Sequence, residues 1–171
     1  MKPIICIVGK SGSGKTILME LLIKEFRNRN YKVGTIKHHA HGDFDIDKEG
    51  KDTWKYAKAG ANTVIISSPT KLAIIKKMEQ EATLDSLKNY LLDRDIILAE
   101  GFTKSNNPRI IIAEKKEDIE IFKRGCEVIA IVSENKIDTE YPLFKFRDIK
   151  TISEEIEKYV KSKHDLYEEL Q

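Results

Sequence analysis

The stretch Gly9-Lys10-Ser11-Gly12-Ser13-Gly14-Lys15-Thr16 constrains the fold of this chain more than any other. It fits the G-x-x-x-x-G-K-[ST] phosphate-loop pattern without a mismatch. The apolar run Pro3-Ile4-Ile5-Cys6-Ile7-Val8, rich in β-branched residues, precedes it, and Ile17, Leu18, Leu21, Leu22 and Phe26 follow at helical spacing. That order predicts strand, loop and helix, the context the motif requires. Glycines at 12 and 14 let successive backbone N–H groups turn inward toward a phosphate, and the helix opening near Lys15 adds its positive end. Lys15 is expected to reach the β- and γ-phosphates, and the Thr16 hydroxyl to be a magnesium ligand. A glycine-rich turn ahead of an ordinary core helix is the alternative reading, and the full pattern in this context weighs against it.

The 171 residues suit a single domain, 1–171, large enough to bury a core. With 34% charged and 40% hydrophobic residues the chain reads as soluble and globular. No apolar run is long enough to cross a bilayer, and a phosphate loop starting at residue 9 leaves no signal-peptide pattern, so the cytoplasm is the expected location. A formal charge of +2 gives no reason to expect a nucleic-acid partner. Cys6 and Cys126 lie in or beside apolar runs and read as buried free thiols.

The first helix should end near Asn28 to Asn30, and Tyr31 to Ile36 read as a second strand. Lys37 and His38 then fall at that strand's C-terminal end, the edge where open α/β sheets collect ligands. From Lys37 to Asp47 the chain carries His38, His39, His41, Asp43, Asp45 and Asp47. Three readings of this loop stand side by side: contacts to nucleotide, magnesium or a partner, in which Asp45 or Asp47 touches the metal directly or through water; a transition-metal site; and a solvated polar loop that carries its histidines by chance. The helical H-x-x-x-H spacing of zinc sites is absent. Beyond a short helix through Trp54, the runs Val64–Ile66 and Leu72–Ile75 flank a proline-containing connection and predict an antiparallel hairpin, making the sheet mixed.

Leu84, Leu87, Tyr90, Leu91 and Leu92 mark another amphipathic helix. The strand after it, Asp95 to Gly101, has an acid at each end. If it runs parallel to the first strand, only Glu100 lies at the phosphate edge, which makes Glu100 the candidate for holding magnesium or its water and leaves Asp95 to capping or the surface. Arg109, at the start of a further strand, offers phosphate neutralisation or a surface role. Beyond the strand Glu127–Val132, Asn135-Lys136-Ile137-Asp138 matches N-K-x-D, a guanine-reading signature in which the aspartate accepts from the base; a chance match of four residues is the alternative. Thr151 and Glu154 form a capping box for a closing helix.

Taken together, these pieces resemble the molybdopterin-guanine dinucleotide biosynthesis protein B family. The resemblance rests on the phosphate loop, Lys37-His38 with His41, Asp45 and Asp47, Gly50-Lys51-Asp52-Thr53, Ala59-Gly60-Ala61 and Glu100-Gly101-Phe102, and it covers nearly the whole chain. It implies a P-loop NTPase fold of the SIMIBI branch: a mostly parallel sheet flanked by helices, with the hairpin as an addition. It also implies a homodimeric, weakly hydrolysing GTP-binding protein that assists the MobA guanylyltransferase in attaching GMP to molybdopterin. Lys10 stands where some dimeric SIMIBI ATPases carry a lysine that reaches the partner subunit's nucleotide, although Ser11 replaces the glycine usual after it.

The mechanism expected from these residues has GTP and Mg²⁺ held by the phosphate loop, with Thr16 and Glu100 arranging the metal shell. Asp45, Asp47 and Glu100 are candidates for placing the attacking water. The sequence offers no evident arginine finger or catalytic glutamine, in keeping with slow turnover. Two rival readings stay open. A small-molecule P-loop kinase lacks its usual arginine-rich lid here, and a metal-insertion GTPase would use His38, His39 and His41.

Overall fold

A computed structural model describes residues 4–40, 42 and 44–168. The chain resolves into two compact units, Met1–His38 with Leu84–Gln171, and His39–Thr83.

The first unit is built on a six-stranded sheet. Strand β1 (Ile4–Gly9) is followed by helix α1 (Lys15–Asn28) and strand β2 (Val33–Lys37). In the second unit come helix α2 (Asp52–Lys58) and strands β3 (Thr63–Ser67) and β4 (Leu72–Lys76). The chain then returns through α3 (Leu84–Lys88), β5 (Ile96–Glu100), β6 (Arg109–Ile112), α4 (Lys116–Lys123), β7 (Val128–Val132), β8 (Leu143–Phe144) and α5 (Ile149–Glu168). The sheet order is β2-β5-β1-β6-β7-β8, and every neighbouring pair runs parallel.

Parallel strands covered on both faces read as continuous apolar runs, and those of β1, β5, β6 and β7 do so. Alternation sorts their side chains between two layers. Ile5 and Ile7 of β1 pack with Leu18, Leu22 and Phe26 of α1 and Ile152 and Ile156 of α5. Ile4, Cys6 and Val8 face the other way, into a cluster with Leu84 of α3 and Ile119 of α4. Each such aliphatic side chain contributes about 1.5–3 kcal/mol when fully buried. With both faces of the sheet covered, only its strand ends are free to carry chemistry.

The antiparallel hairpin is present, with Thr63 opposite Lys76 and Ser67 opposite Leu72. It does not make the large sheet mixed: β3 and β4 form a separate two-stranded sheet. Two local expectations are also corrected. The helix expected to reach Leu92 stops at Lys88 and tightens into a 3₁₀ turn, Asn89–Leu91, which seats Leu91 over Gly34 and leaves Tyr90 and Leu92 exposed. The closing helix starts ahead of the Thr151 capping box, because Ile152 N–H already bonds to Asp148 C=O at 3.0 Å. The Asp148 carboxylate turns back to accept the Lys145 N–H at 2.9 Å. Strand β8 had no signal in the sequence, since two residues are too few to show a period.

Candidate functional site

The loop between β1 and α1 is shaped by close packing. A Cβ on Gly9 would lie 2.8 Å from the Ile112 carbonyl oxygen, so β1 and β6 approach there only because residue 9 has no side chain. Gly14 has φ +93°, and a Cβ there would sit 2.9 Å from the Phe146 ring. Inside the loop, Ser13 N–H donates to Lys10 C=O at 3.3 Å. The Lys15 ammonium folds over the loop, donating to Gly9 C=O at 3.0 Å and Lys10 C=O at 2.6 Å. Burial and then the neighbouring Lys37 charge push the Lys15 pKa below its ordinary value, against the pull of Glu100. The Ser13 hydroxyl oxygen is buried without a hydrogen-bond partner among the described residues. Ser11 and Gly12 lie exposed at the tip.

Because β5 runs parallel to β1, with Glu100 in register with Ile7, the Glu100 carboxylate emerges at the phosphate-loop edge. It accepts the Thr16 hydroxyl at 3.2 Å and the Lys37 ammonium at 2.8 Å. Three residues from three elements thus converge: the first turn of α1, the end of β2 and the end of β5. The exit from β5 is tightly turned, with positive φ at both Gly101 (+87°) and Phe102 (+51°). A Cβ on Gly101 would meet the His38 Cβ at 3.0 Å, and the Phe102 ring packs on the His38 imidazole with centroids 4.9 Å apart. His38 is tied to the same turn by its N–H, which donates to Glu100 C=O at 2.9 Å. Left-handed conformation at a bulky residue costs on the order of 1–3 kcal/mol and clusters at functional sites.

Asp95, at the opposite end of β5, accepts the Lys32 N–H at 2.6 Å, a structural tie between strand starts as expected. Arg109 departs from both roles the sequence offered. It is 0% exposed, and its guanidinium donates to the carbonyls of Thr103 (3.3 Å), Phe122 and Ser105. It also begins β6, the strand end away from the phosphate loop. Buried carbonyls supply the acceptors that solvent would, so Arg109 braces the loop that follows Glu100.

The N-K-x-D stretch follows β7. Asn135 donates its amide to Glu114 C=O at 2.8 Å, Lys136 is exposed, and the fully exposed Asp138 carboxylate lies 3.5 Å from the Lys116 ammonium. Lys116, Ile119, Asp138, Thr139 and Tyr141 help line a cavity of about 220 Å³ beside it. A second cavity, of about 370 Å³, is lined by Tyr31, Asp95, Ile96 and Glu157. It lies at the starts of the strands, the edge opposite the phosphate loop, and shares no residue with the motifs.

The sequence did not single out Asp118. Its carboxylate, 2% exposed, pairs with Lys10 at 2.6 Å and accepts the Glu114 and Lys115 N–H groups at 3.0 and 3.3 Å. The Lys10 ammonium, with the backbone bonds adding to it, holds this carboxyl below the ordinary carboxylate range. The only signal was an acid in the first turn of a helix, which is commonplace. Phe146, against Gly14, was missed for lack of any local pattern.

Asp45 and Asp47 belong to the His39–Thr83 unit. Asp45 is exposed. One Asp47 oxygen accepts the Lys48 N–H and the Thr53 hydroxyl, both at 2.9 Å, while the other is buried without a hydrogen-bond partner among the described residues. His39 packs edge-on against Phe44, with ring centroids 5.9 Å apart. His41 and Asp43 lie outside the described residues. Among the described residues no three His, Cys, Asp or Glu side chains gather in a metal-binding group. Both cysteines are free; Cys6 is fully buried, with burial raising its thiol pKa, whereas Cys126 is only half-buried.

Comparison with known proteins fits this arrangement. The profile of the MobB family, described as molybdopterin guanine dinucleotide synthesis protein B, matches residues 4–134. A molybdopterin-guanine dinucleotide biosynthesis adapter protein of Haemophilus influenzae is 32% identical over 165 residues, spanning 95% of this chain and 92% of that protein. The Escherichia coli protein of the same description is 30% identical, spanning 90% and 91%. A crystal structure of molybdopterin-guanine biosynthesis protein B superposes with a TM-score of 0.77 at 33% identity, covering 92% of this chain and 99% of its own. With a family profile spanning most of its length and relatives aligned nearly end to end, this chain belongs to the MobB family, on a P-loop NTPase fold.

Proposed function

We propose that this chain is a MobB-type adapter in molybdopterin guanine dinucleotide biosynthesis, and that it works as a GTP- and Mg²⁺-binding protein. The observation that carries the nucleotide reading is the convergence of Thr16, Lys37 and Glu100 beside a complete phosphate loop. The donor chemistry suits the group: a hydroxyl and a carboxylate are hard oxygen ligands, too few for a protein-only cage and typical of Mg²⁺ shared with phosphates. Lys15 would exchange its loop carbonyls for phosphate oxygens, and Thr16 and Glu100 would hold the metal or its water. When bound, Mg²⁺ supplies charge neutralisation on the phosphates. Asn135, Lys136 and Asp138 are the proposed base-reading residues, with the Asp138 carboxylate solvent-exposed and held by the exposed Lys116, a contact it would exchange for guanine.

Hydrolysis by this site would be slow, since a positioned arginine finger is worth about a thousandfold or more and the sequence offers no evident one. The proposed partner is a MobA-like guanylyltransferase, and the proposed setting is the cytoplasm; among the described residues no helix is long and apolar enough to cross a membrane. A homodimer is supported by the hairpin. A two-stranded sheet is marginal alone, and Ile65, Leu72 and Ile74 leave apolar surface exposed on it. No observation favours the kinase or metal-delivery alternatives.

Calorimetric titration with Mg·GTP and Mg·ATP tests the nucleotide half. Wild type should prefer GTP, Lys15→Ala should lose binding of both, and Asp138→Ala should lose the preference. Equal binding by Lys15→Ala would refute the site. Pull-down of a molybdenum-cofactor guanylyltransferase with and without GTP tests the adapter half.

A further inference from the structure

The Lys10 side chain does not reach across the phosphate loop. It leaves the loop sideways and ends on Asp118 of α4, at 2.6 Å. That carboxylate is nearly inaccessible to solvent, and its other oxygen is committed to the N–H groups of Glu114 and Lys115. A buried carboxylate that lost its cation would be left uncompensated, so the pair holds Lys10 firmly in this position. The backbone of the same residue matters to the loop: Lys10 C=O accepts both the Ser13 N–H and the Lys15 ammonium. Fixing the Lys10 side chain therefore fixes the carbonyl around which the loop closes. The Glu114 peptide that donates to Asp118 also receives the Asn135 amide on its carbonyl. One short turn, 114–118, thus braces the phosphate loop on one side and the proposed base loop on the other.

We propose that Asp118 is a positioning residue for the nucleotide site, acting through Lys10 to preorganise the phosphate loop. The inference rests on the GTP-binding reading above and adds a residue that the loop motif does not contain. Its sign is distinctive. Removing a carboxylate makes the neighbourhood more positive, so a purely electrostatic role predicts tighter phosphate binding in Asp118→Asn. Preorganisation predicts weaker binding, because the loop must then be ordered at the expense of affinity.

The test is a double-mutant cycle, with Mg·GTP titrated into wild type, Asp118→Asn, Lys10→Met and the double variant, and thermal unfolding recorded for each. Asparagine retains an acceptor for the Glu114 and Lys115 N–H groups. Asp118→Asn should weaken Mg·GTP about tenfold in the wild-type background and have no further effect beside Lys10→Met. Unchanged or tighter binding in Asp118→Asn overturns the proposal, as does an equal loss in both backgrounds, which would mark a merely structural acid. If Asp118→Asn does not fold, Asp118→Glu serves in its place: it keeps the charge and shifts the pairing geometry, and affinity equal to wild type overturns the proposal. Lys15→Ala is carried in parallel. Failure of wild type to bind GTP at all refutes the nucleotide reading, whereas a normal gap between wild type and Lys15→Ala with no effect at Asp118 refutes only this inference.

Discussion

The Glu100 carboxylate accepts the Thr16 hydroxyl at 3.2 Å, although 84 positions separate them in the chain. Glu100→Gln keeps the shape of this contact and removes its charge. The Mg²⁺ concentration needed for half-maximal GTP binding should rise about tenfold or more, while binding in EDTA is unaffected. The exposed Lys37 ammonium loses its charged partner, the largely buried Glu100 carboxylate, in the same variant. An unaltered Mg²⁺ titration would remove Glu100 from the metal shell.

Gly14→Ala meets two obstacles together, a φ of +93° and the Phe146 ring at 2.9 Å from the new Cβ. The expected destabilisation is about 1–3 kcal/mol, read from urea unfolding. Adding Phe146→Leu should return the part due to the ring and leave the part due to the backbone. If the second substitution returns nothing, Phe146 does not press on the loop.

Arg109 holds backbone carbonyls of Thr103, Ser105 and Phe122 with a single planar fork. Arg109→Met strands these acceptors in the interior and should cost roughly 3 kcal/mol or more. Arg109→Lys keeps the charge without the fork and should recover only a fraction of that loss. Full recovery by lysine would show that charge, not geometry, is what the loop needs.

The Lys10–Asp118 pair gives stability a characteristic pH window. Asp118 is held below its ordinary pKa chiefly by Lys10, so its contribution is complete above the ordinary carboxylate range and is lost as pH falls through the depressed folded value. Lys10 is raised chiefly by Asp118, so its share is present below the ordinary lysine range and is lost as pH rises through the raised one. Melting temperature plotted against pH should therefore fall less steeply at both ends in Asp118→Asn than in wild type. Parallel curves would mean that the pair does not stabilise the fold.

What the sequence made legible was local. Gly9 to Thr16 announces itself because phosphate binding by backbone needs a fixed run of residues, and Glu100 could be placed because a strand's direction decides which of its two acids reaches the phosphate edge. Asp118 and Phe146 were invisible because each acts on a partner more than a hundred positions away, and neither sits in a pattern. Arg109 misled for a related reason. An arginine at a strand start looks like surface, and only the return path of the loop after Glu100, together with the Phe122 carbonyl of α4, supplies the acceptors that let it be buried. The hairpin was readable from its two apolar runs, but its separation from the main sheet was not, since strand order is a property of the assembled layers.

That separation has an entropic consequence. Strands β2 and β5 are immediate neighbours in the sheet, yet the whole His39–Thr83 unit is threaded between them. Their pairing closes a long loop in which Lys37 ends opposite Glu100. Closure entropy grows only with the logarithm of loop length, about 0.6 kcal/mol for each doubling, so residues can be gained or lost in the excursion at almost no thermodynamic penalty to the strands that bracket it. The unit inserted at this point is free to diverge in size and surface while the register that brings Lys37 to Glu100 is kept.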